Sequence, residues 1–431
     1  MSKEENRKNF SKYVSQNILG MIGFSCYVLA DSYFISIAKG ADGLTALNLV
    51  MPLYSIIFSI GEMIGVGSAI RYAISKIKKD ADADDYFWNA LIWCILSSML
   101  FVFAGIFFSA DIMRVLGADE HIVAVGNNYT KIFMCFAPMF MCNYVTNAFV
   151  RNDGAPGIAM SATLFSSLFN IVFDYILMFP MNLGMEGAAL ATALSPIIGM
   201  GICSIHFFSK KSSVRLVVCK PSVRKLVAGC QLGISAFVGE MSSAVITLVF
   251  NFVILKLAGN VGVAAYGVVA NIAIVTTAVF NGVAQGSQPL ISSCFGRGDK
   301  DGCTQLKRMG YTTAFVLAAV MYSILFIFAG QFVAVFNSEG SEMLRLYATE
   351  GVKLYFIGIF FAGINIVGGG AFSATEDAFK AAVVSVARGF VLILGAVFVM
   401  SAFFGMTGVW LAYAVAEGIT TFIMLVMAMR V

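Results

Sequence analysis

The feature that most restricts the fold of this chain is a succession of long apolar runs. A helix that crosses a bilayer needs about 20 mostly apolar residues. Twelve runs meet that length, at about 14–38, 44–72, 87–109, 123–149, 157–180, 185–208, 224–257, 262–292, 310–335, 346–372, 378–403 and 406–430. Several exceed a minimal span, which implies tilt or extension into the aqueous phase. Only 12% of the 431 residues are charged, while 59% are hydrophobic and the mean hydropathy is +0.86. So few charges cannot cover a soluble particle of this size, so lipid must solvate much of the surface.

The basic residues set an orientation. With the N-terminus inside, the inner segments hold 22 of the 28 Lys and Arg, in groups such as Lys3–Lys12, Arg71–Lys79, Lys210–Lys225 and Arg297–Arg308, with Arg151, Lys380, Arg388 and Arg430. Only Lys39, Arg114, Lys131, Lys256, Arg345 and Lys353 fall outside. This asymmetry predicts a bacterial inner-membrane protein with both termini cytoplasmic. The charged start followed by an apolar run resembles a signal peptide only superficially. The run is too long and carries Asp31, so it reads as a retained first helix. The clusters lie between apolar runs, which points to topology and not to nucleic-acid binding.

The chain repeats itself. A shift of 219 residues aligns Gly40-Ala41-Asp42-Gly43 with Gly259-Asn260-Val261-Gly262, Gly67-Ser68 with Gly286-Ser287, and Asp80 with Asp299. Ala148-Phe149 matches Ala371-Phe372 at 223, and Gly184-Met185-Glu186-Gly187 matches Gly405-Met406-Thr407-Gly408 at 221. The order and near-constant shift carry more weight than any single match. Six helices per half make the repeat parallel, with an axis along the membrane normal. The expected fold class is therefore all-α integral membrane, with about 12 transmembrane helices in two parallel six-helix repeats. The expected lobes are 1–208 and 224–431, joined by a cytoplasmic linker at 209–223. The substrate path is expected between them.

Charges at membrane depth are expensive, so each is a functional candidate. Asp31 lies about seven residues, or roughly 10 Å, from the outer end of helix 1. Asn170 and Asp174 share one face of helix 5 through their i, i+4 spacing. Thr192 is about as deep in helix 6. Two carboxylates, an amide and a hydroxyl on three helices suit a hard cation such as Na⁺. They suit proton storage equally, because two nearby carboxylates in a dry site resist carrying two charges. Polar glue between helices is the plainer reading, but two carboxylates without a basic partner make poor glue. The repeat mates of Asp31, Asn170, Asp174 and Thr192 are Phe250, Ile393, Val397 and Tyr413. The cluster therefore occurs once, and ion coupling is expected in the first half.

Glu240, near the middle of helix 7, is a candidate for a cationic substrate or a second ion. Glu62 and its mate Asn281 read as gate or packing residues, as does Glu417 on helix 12. Arg151-Asn152-Asp153-Gly154-Ala155-Pro156 reads as a tight turn between helices 4 and 5, punctuated by Gly and Pro. The nine cysteines form no C-x-x-C pair and read as small buried hydrophobes. The two histidines, His121 and His206, fall near helix ends and are expected at the surface, which leaves no metal centre apart from the possible Na⁺ set. The 39 Phe and 23 Met can line a pliable cavity, although most must face lipid or other helices. No Walker A sequence occurs, so a gradient is the expected energy source, with no cofactor beyond H⁺ or Na⁺.

At these residues the chain resembles the multidrug and toxic compound extrusion (MATE) family over nearly its whole length. Ala30-Asp31-Ser32-Tyr33-Phe34-Ile35-Ser36-Ile37-Ala38-Lys39-Gly40 resembles the family's first-helix motif. Arg151–Pro156 resembles its loop after helix 4, and Ala284-Gln285-Gly286-Ser287-Gln288-Pro289-Leu290 its helix 8 signature. Asp31, Asn170, Asp174 and Thr192 match the first-lobe cation site of prokaryotic members, and Glu240 an acidic position of one branch. That branch carries a second acid in the middle of helix 10, which this chain lacks, so the resemblance does not extend to a second-lobe cation site. Within the family the chain resembles the MepA-like bacterial branch.

The resemblance implies a secondary antiporter that exports small organic cations or amphipathic drugs by alternating access. It also implies a monomer surrounded by lipid, without enzymatic activity. The nearest alternative is a lipid-linked oligosaccharide or polysaccharide flippase of the same superfamily. Such proteins tend to have basic cavities, whereas intramembrane charge here is acidic. A membrane enzyme would want a clustered Ser/His or His/Asp set, and a channel would not need a single-copy acidic cluster within a two-lobe repeat.

Overall fold

The computed structural model describes residues 3–336 and 341–429, and its described secondary structure is helical throughout. The spans are α1 (Lys3–Gly40), α2 (Asp42–Lys78), α3 (Asp85–Val115), α4 (Glu120–Cys135 with Ala137–Asn152, bent by 46°), α5 (Pro156–Met178) and α6 (Gly184–Phe207). The second half contributes α7 (223–258), α8 (260–296), α9 (Lys300–Ile327, continued by Ala329–Phe336), α10 (Glu342–Ala374), α11 (378–404) and α12 (406–428). Val223–Gly296 is continuous by hydrogen bonding, but 74 residues would extend about 110 Å, far beyond a 30 Å hydrocarbon core. Its backbone breaks at Gly259, as 378–428 breaks at Gly405. Twelve spans result among the described residues, grouped in two six-helix lobes.

The repeat is written into the backbone. Left-handed residues occur in pairs: Gly40 and Gly259, Lys79 and Gly298, Gly154 and Glu376, Gly184 and Gly405. Their separations are 219, 219, 222 and 221 residues, within the 219–223 range of shifts that align the sequence. Eight of the ten described residues with positive φ fall into these pairs. Such backbone is rare without glycine, so each pair marks one turn built twice.

Several helices run beyond their apolar cores. The apolar pattern starts helix 1 near residue 14, but α1 begins at Lys3, with Glu4 and Glu5 in its first turn where the helix dipole favours acids. Likewise α9 begins at Lys300, capped by Asp299, whose carboxylate accepts from the Gly302 amide at 2.8 Å. The segment between α6 and α7 has no regular structure from residue 212 to Ser222.

The lobes meet at the end of the molecule that carries Lys3 and Met429. There α2 lies against α7 so closely that a Cβ on Gly67 would sit 2.0 Å from the Gly229 carbonyl oxygen, and one on Gly233 1.9 Å from that of Met63. On the other side of the pseudo-axis, α1 meets α8 at Val14 and Gly286 and at Ile18 and Gly282. Arg71 of α2 pairs with Glu376 after α10. These contacts all lie in the terminal halves of the helices, so the seam is shut at that end.

Candidate functional site

Helices α1, α5 and α6 bring Asp31, Asn170, Asp174 and Thr192 together inside the first lobe. All four are buried, at 6%, 0%, 0% and 1% exposure. The Asn170 amide satisfies both neighbours in one orientation. Its Nδ2 donates to Asp174 Oδ2 at 3.0 Å, and its Oδ1 accepts from Thr192 Oγ1 at 3.1 Å and the Thr192 amide at 3.2 Å. The chain Thr192–Asn170–Asp174 thus uses one carboxylate oxygen. Asp174 Oδ1 and Asp31 Oδ1 are buried and have no hydrogen-bond partner, and among the described residues no basic side chain forms an ion pair with either carboxylate. The two carboxylates are near enough to interact through space. A bare buried carboxylate oxygen is costly unless a cation or proton satisfies it.

Tyr27 adds to this set. It lies one helical turn before Asp31 on α1 and within electrostatic reach of Asp31, Asp174 and Glu240. Tyr27 is not among the residues expected at the site, although its i, i+4 spacing to Asp31 was a usable signal. The hydroxyls of Tyr54 and Tyr129 share a short hydrogen bond, also within reach of Asp31 and Asp174.

Glu240 on α7 is half-buried and faces across the seam towards Glu62 of α2, close enough to interact electrostatically. Glu62 Oε1 accepts from Gln285 Nε2 of α8 at 3.2 Å, and Gln285 Oε1 accepts from Arg151 Nη1 of α4 at 2.7 Å. This relay crosses from one lobe to the other and back. Arg151 is therefore more than part of a turn: its guanidinium is buried at the seam, 3.4 Å from Asn17 Oδ1. Asn281, the repeat mate of Glu62, does not join the relay.

Glu417 sits elsewhere, inside the second lobe. Arg388 Nη2 donates to its Oε1 at 2.6 Å and Arg388 Nε to both oxygens at 3.1 and 3.2 Å. Asn365 Nδ2 donates to Oε2 at 2.7 Å, and Thr421 Oγ1 donates to Asn365 Oδ1 at 3.0 Å. The charge pattern groups Arg388 with the cations of the inner segments, but the structure places it within α11, bonded to Glu417. A π-turn at Ala387–Val391 carries the residue, and such turns re-aim a side chain locally. An arginine inside the apolar run 378–403 was itself the signal that could have found this.

His206 corrects a second expectation. It is buried at 3%, with Nε2 2.8 Å from Asp153 Oδ2. Asp153 also accepts from Tyr72 Oη at 3.0 Å, the Ser213 amide at 2.8 Å and Ser212 Oγ at 3.2 Å. The start of the linker folds across the end of α6 and buries the pair. His121 is exposed, as expected, and touches Asp42.

Comparison with known proteins agrees with this architecture. The Multidrug export protein MepA of Staphylococcus aureus (strain MRSA252) is 27% identical over 414 residues, covering 93% of this chain and 89% of that protein. The protein of the same name from Staphylococcus saprophyticus is 26% identical over 409 residues, with the same coverage. Among solved structures, an outward-facing multidrug resistance MATE family transporter of the MOP superfamily aligns with a TM-score of 0.89 at 20% identity, over 99% of this chain and 96% of that one. A MOP superfamily transporter from Pyrococcus furiosus, described as having a binding pocket of reverse polarity, aligns at 0.91 and 20%, with equal coverage. The family model MatE matches residues 17–176 and 236–399, one segment in each lobe. With most of its length matched in both halves of the repeat, the chain belongs to the MatE family.

Proposed function

We propose that the chain is a secondary multidrug exporter that moves organic cations out of a bacterial cell in exchange for H⁺ or Na⁺. The lobes are 1–208 and 224–431, the linker 209–223 and both termini are cytoplasmic. The observation that carries this reading is the pair of buried, unpartnered carboxylate oxygens at Asp31 and Asp174, with no ion pair to either carboxylate among the described residues. In a transporter such a site is a place for an ion that comes and goes.

In the mechanism, a cation entering from outside binds Asp31 and Asp174. Asn170 and Thr192 hold Asp174 in position for it. The ion neutralises the bare carboxylate oxygens of this buried interior. Substrate bound at Glu240 is then released outward. The seam at the terminal end opens when the Glu62–Gln285–Arg151 relay breaks, and the ion discharges inward. One charge moved across 100 mV contributes about 2.3 kcal/mol before any concentration term. The acidic residues of the cleft, Glu62 and Glu240, match a cationic cargo.

Ethidium export from cells carrying wild type, Asp31→Asn or Asp174→Asn tests the proposal, with protonophore and Na⁺-free arms. Proteoliposomes with an imposed pH or Na⁺ gradient separate the ion from the membrane potential. Gradient-driven export in wild type and its loss in both variants is the expected result. Export that persists unchanged in Asp31→Asn would remove the ion site. No export by an inserted wild type would favour a transporter of other cargo.

A further inference from the structure

Away from the cleft, a groove of about 900 Å³ runs along the seam between α1 of the first lobe and α9 of the second. Its two ends differ. At the terminal end the lining carries Lys3, Arg7 and Arg308 against a single carboxylate, Asp301. Further along it is walled by Phe10, Val14, Ile18, Met309 and Leu317. On α1 the residues fall at 3, 7, 10, 14 and 18, which is one stripe of a helix. The stripe rises about 22 Å from Lys3 to Ile18 at 1.5 Å per residue.

The basic end lies outside the apolar core of both helices, whose runs begin near residues 14 and 310. The apolar end lies within it. A ligand filling this groove must therefore be negative at the membrane surface and apolar below it. Among the described residues, Lys3, Arg7 and Arg308 form no ion pair, so three cations are available to an anion. Arginine presents two parallel donors that match a phosphate. The two walls are already pinned together at the mouth, where Asn6 Nδ2 donates to Gln305 Oε1 at 3.3 Å and Gln305 Nε2 to the Lys3 carbonyl at 3.0 Å.

We propose that this groove binds one anionic phospholipid of the cytoplasmic leaflet. The phosphate sits on Arg7 and Arg308, with Lys3 at the rim, and an acyl chain lies along Val14, Ile18 and Leu317. The leaflet follows from the orientation given under the proposed function; the recognition chemistry does not depend on transport. Because each lobe supplies one wall, a bound lipid touches both lobes while the terminal end is shut.

Native mass spectrometry of the detergent-solubilised full chain tests this, with dioleoyl phosphatidylglycerol against dioleoyl phosphatidylcholine. The expected result is one tightly held phosphatidylglycerol per chain, not displaced by excess inorganic phosphate. The double variant Arg7→Gln/Arg308→Gln should lose about thirtyfold in phosphatidylglycerol affinity. Lys8→Gln/Lys12→Gln removes the same charge from exposed positions of α1 outside the groove and should keep wild-type binding. Equal losses in the two double variants would reduce the effect to diffuse surface charge and overturn the site. Equal retention of the two lipids, displacement by phosphate alone, or undiminished binding by Arg7→Gln/Arg308→Gln would overturn it as well. Loss of export activity has no bearing on this readout, so failure of the transport reading would be visible separately.

Discussion

Each lobe buries a cluster that contains a carboxylate within its helices, Asp31 with Asp174 in the first and Glu417 in the second, and the two are built on opposite principles. In the first lobe Asp31 and Asp174 share an interior with an amide and a hydroxyl, and one oxygen of each has no partner. In the second lobe Glu417 meets Arg388 and Asn365, so both of its oxygens are bonded. The difference does not come from helix count, since the lobes are repeats. It comes from the partner: the second-lobe cluster contains the Arg388 guanidinium, whereas among the described residues the buried guanidinium of the first lobe, Arg151, bonds Gln285 at the seam and not Asp31 or Asp174. A cluster that holds its own cation is closed to others. A cluster that lacks one is stable only with an ion or proton present. On the proposed function, this asymmetry confines coupling to the first lobe.

The largest expected effect tests that confinement. Asp31→Asn or Asp174→Asn should lower gradient-driven export in proteoliposomes by at least about a hundredfold, the scale of roughly 3 kcal/mol of lost ion binding. Arg388→Met/Glu417→Gln should keep most of the export, because it replaces a neutral pair by another neutral pair. If the second-lobe variant lost coupling and Asp31→Asn kept it, the roles of the lobes would have to be exchanged.

Stability should invert the order. Arg388→Met alone strands Glu417 in the lobe interior and should cost about 3–5 kcal/mol, with a clear fall in Tm. Adding Glu417→Gln should recover most of that, since Gln can still meet Asn365. Asp174→Asn should be neutral or stabilising, because it removes a buried charge that has no paired countercharge among the described residues. Thermal unfolding in detergent reads all three. A large fall in Tm for Asp174→Asn would mean that the first cluster is structural glue after all.

A smaller effect is expected at the linker that joins the lobes. Asp153 gathers Tyr72, His206, Ser212 and Ser213 at its two oxygens. Asp153→Ala should weaken the anchoring of the linker by about 1–3 kcal/mol. Lys210, Lys211 and Arg215 make the segment a substrate for trypsin, so cleavage there should quicken by about tenfold. Unchanged cleavage would show that Asp153 holds the turn and not the linker.

How much of this was legible in the sequence depends on how far apart the partners lie. The helices could be read because their length and apolarity are local. The repeat could be read because glycines at turns with positive φ recur at fixed shifts. Asp31, Asn170, Asp174 and Thr192 could be grouped because each has a depth that counting residues gives. Arg388 and Glu417 are 29 residues apart on different helices, and Asp153 and His206 are 53 apart. No periodicity links such partners. Only the packing of α10, α11 and α12, or of α4, α6 and the linker, brings them together. The relay of Glu62, Gln285 and Arg151 spans more than 220 residues and depends on how the lobes close, which no local pattern encodes.

The smallest effect calibrates the comparison. Asp42 and His121 form an ion pair in water at the other end of the first lobe, with Nε2 and Oδ2 2.9 Å apart and both side chains more than half exposed. The hydrogen bond to Asp42, and then its charge, hold the His121 imidazolium above the usual 6.5. A histidine whose folded value is raised contributes stability that is fully present below pH 6.5 and is lost as pH rises through the folded value. Because the pair is exposed, that contribution should be too small to move Tm detectably, unlike removal of Arg388. The titration itself is readable, since the chain has only two histidines. The imidazole resonance of His121 should titrate above 6.5 in wild type and shift down in Asp42→Asn. If Asp42→Asn lowered Tm as much as Arg388→Met, burial would not be what separates the pairs, and the contrast between the lobes would lose its physical basis.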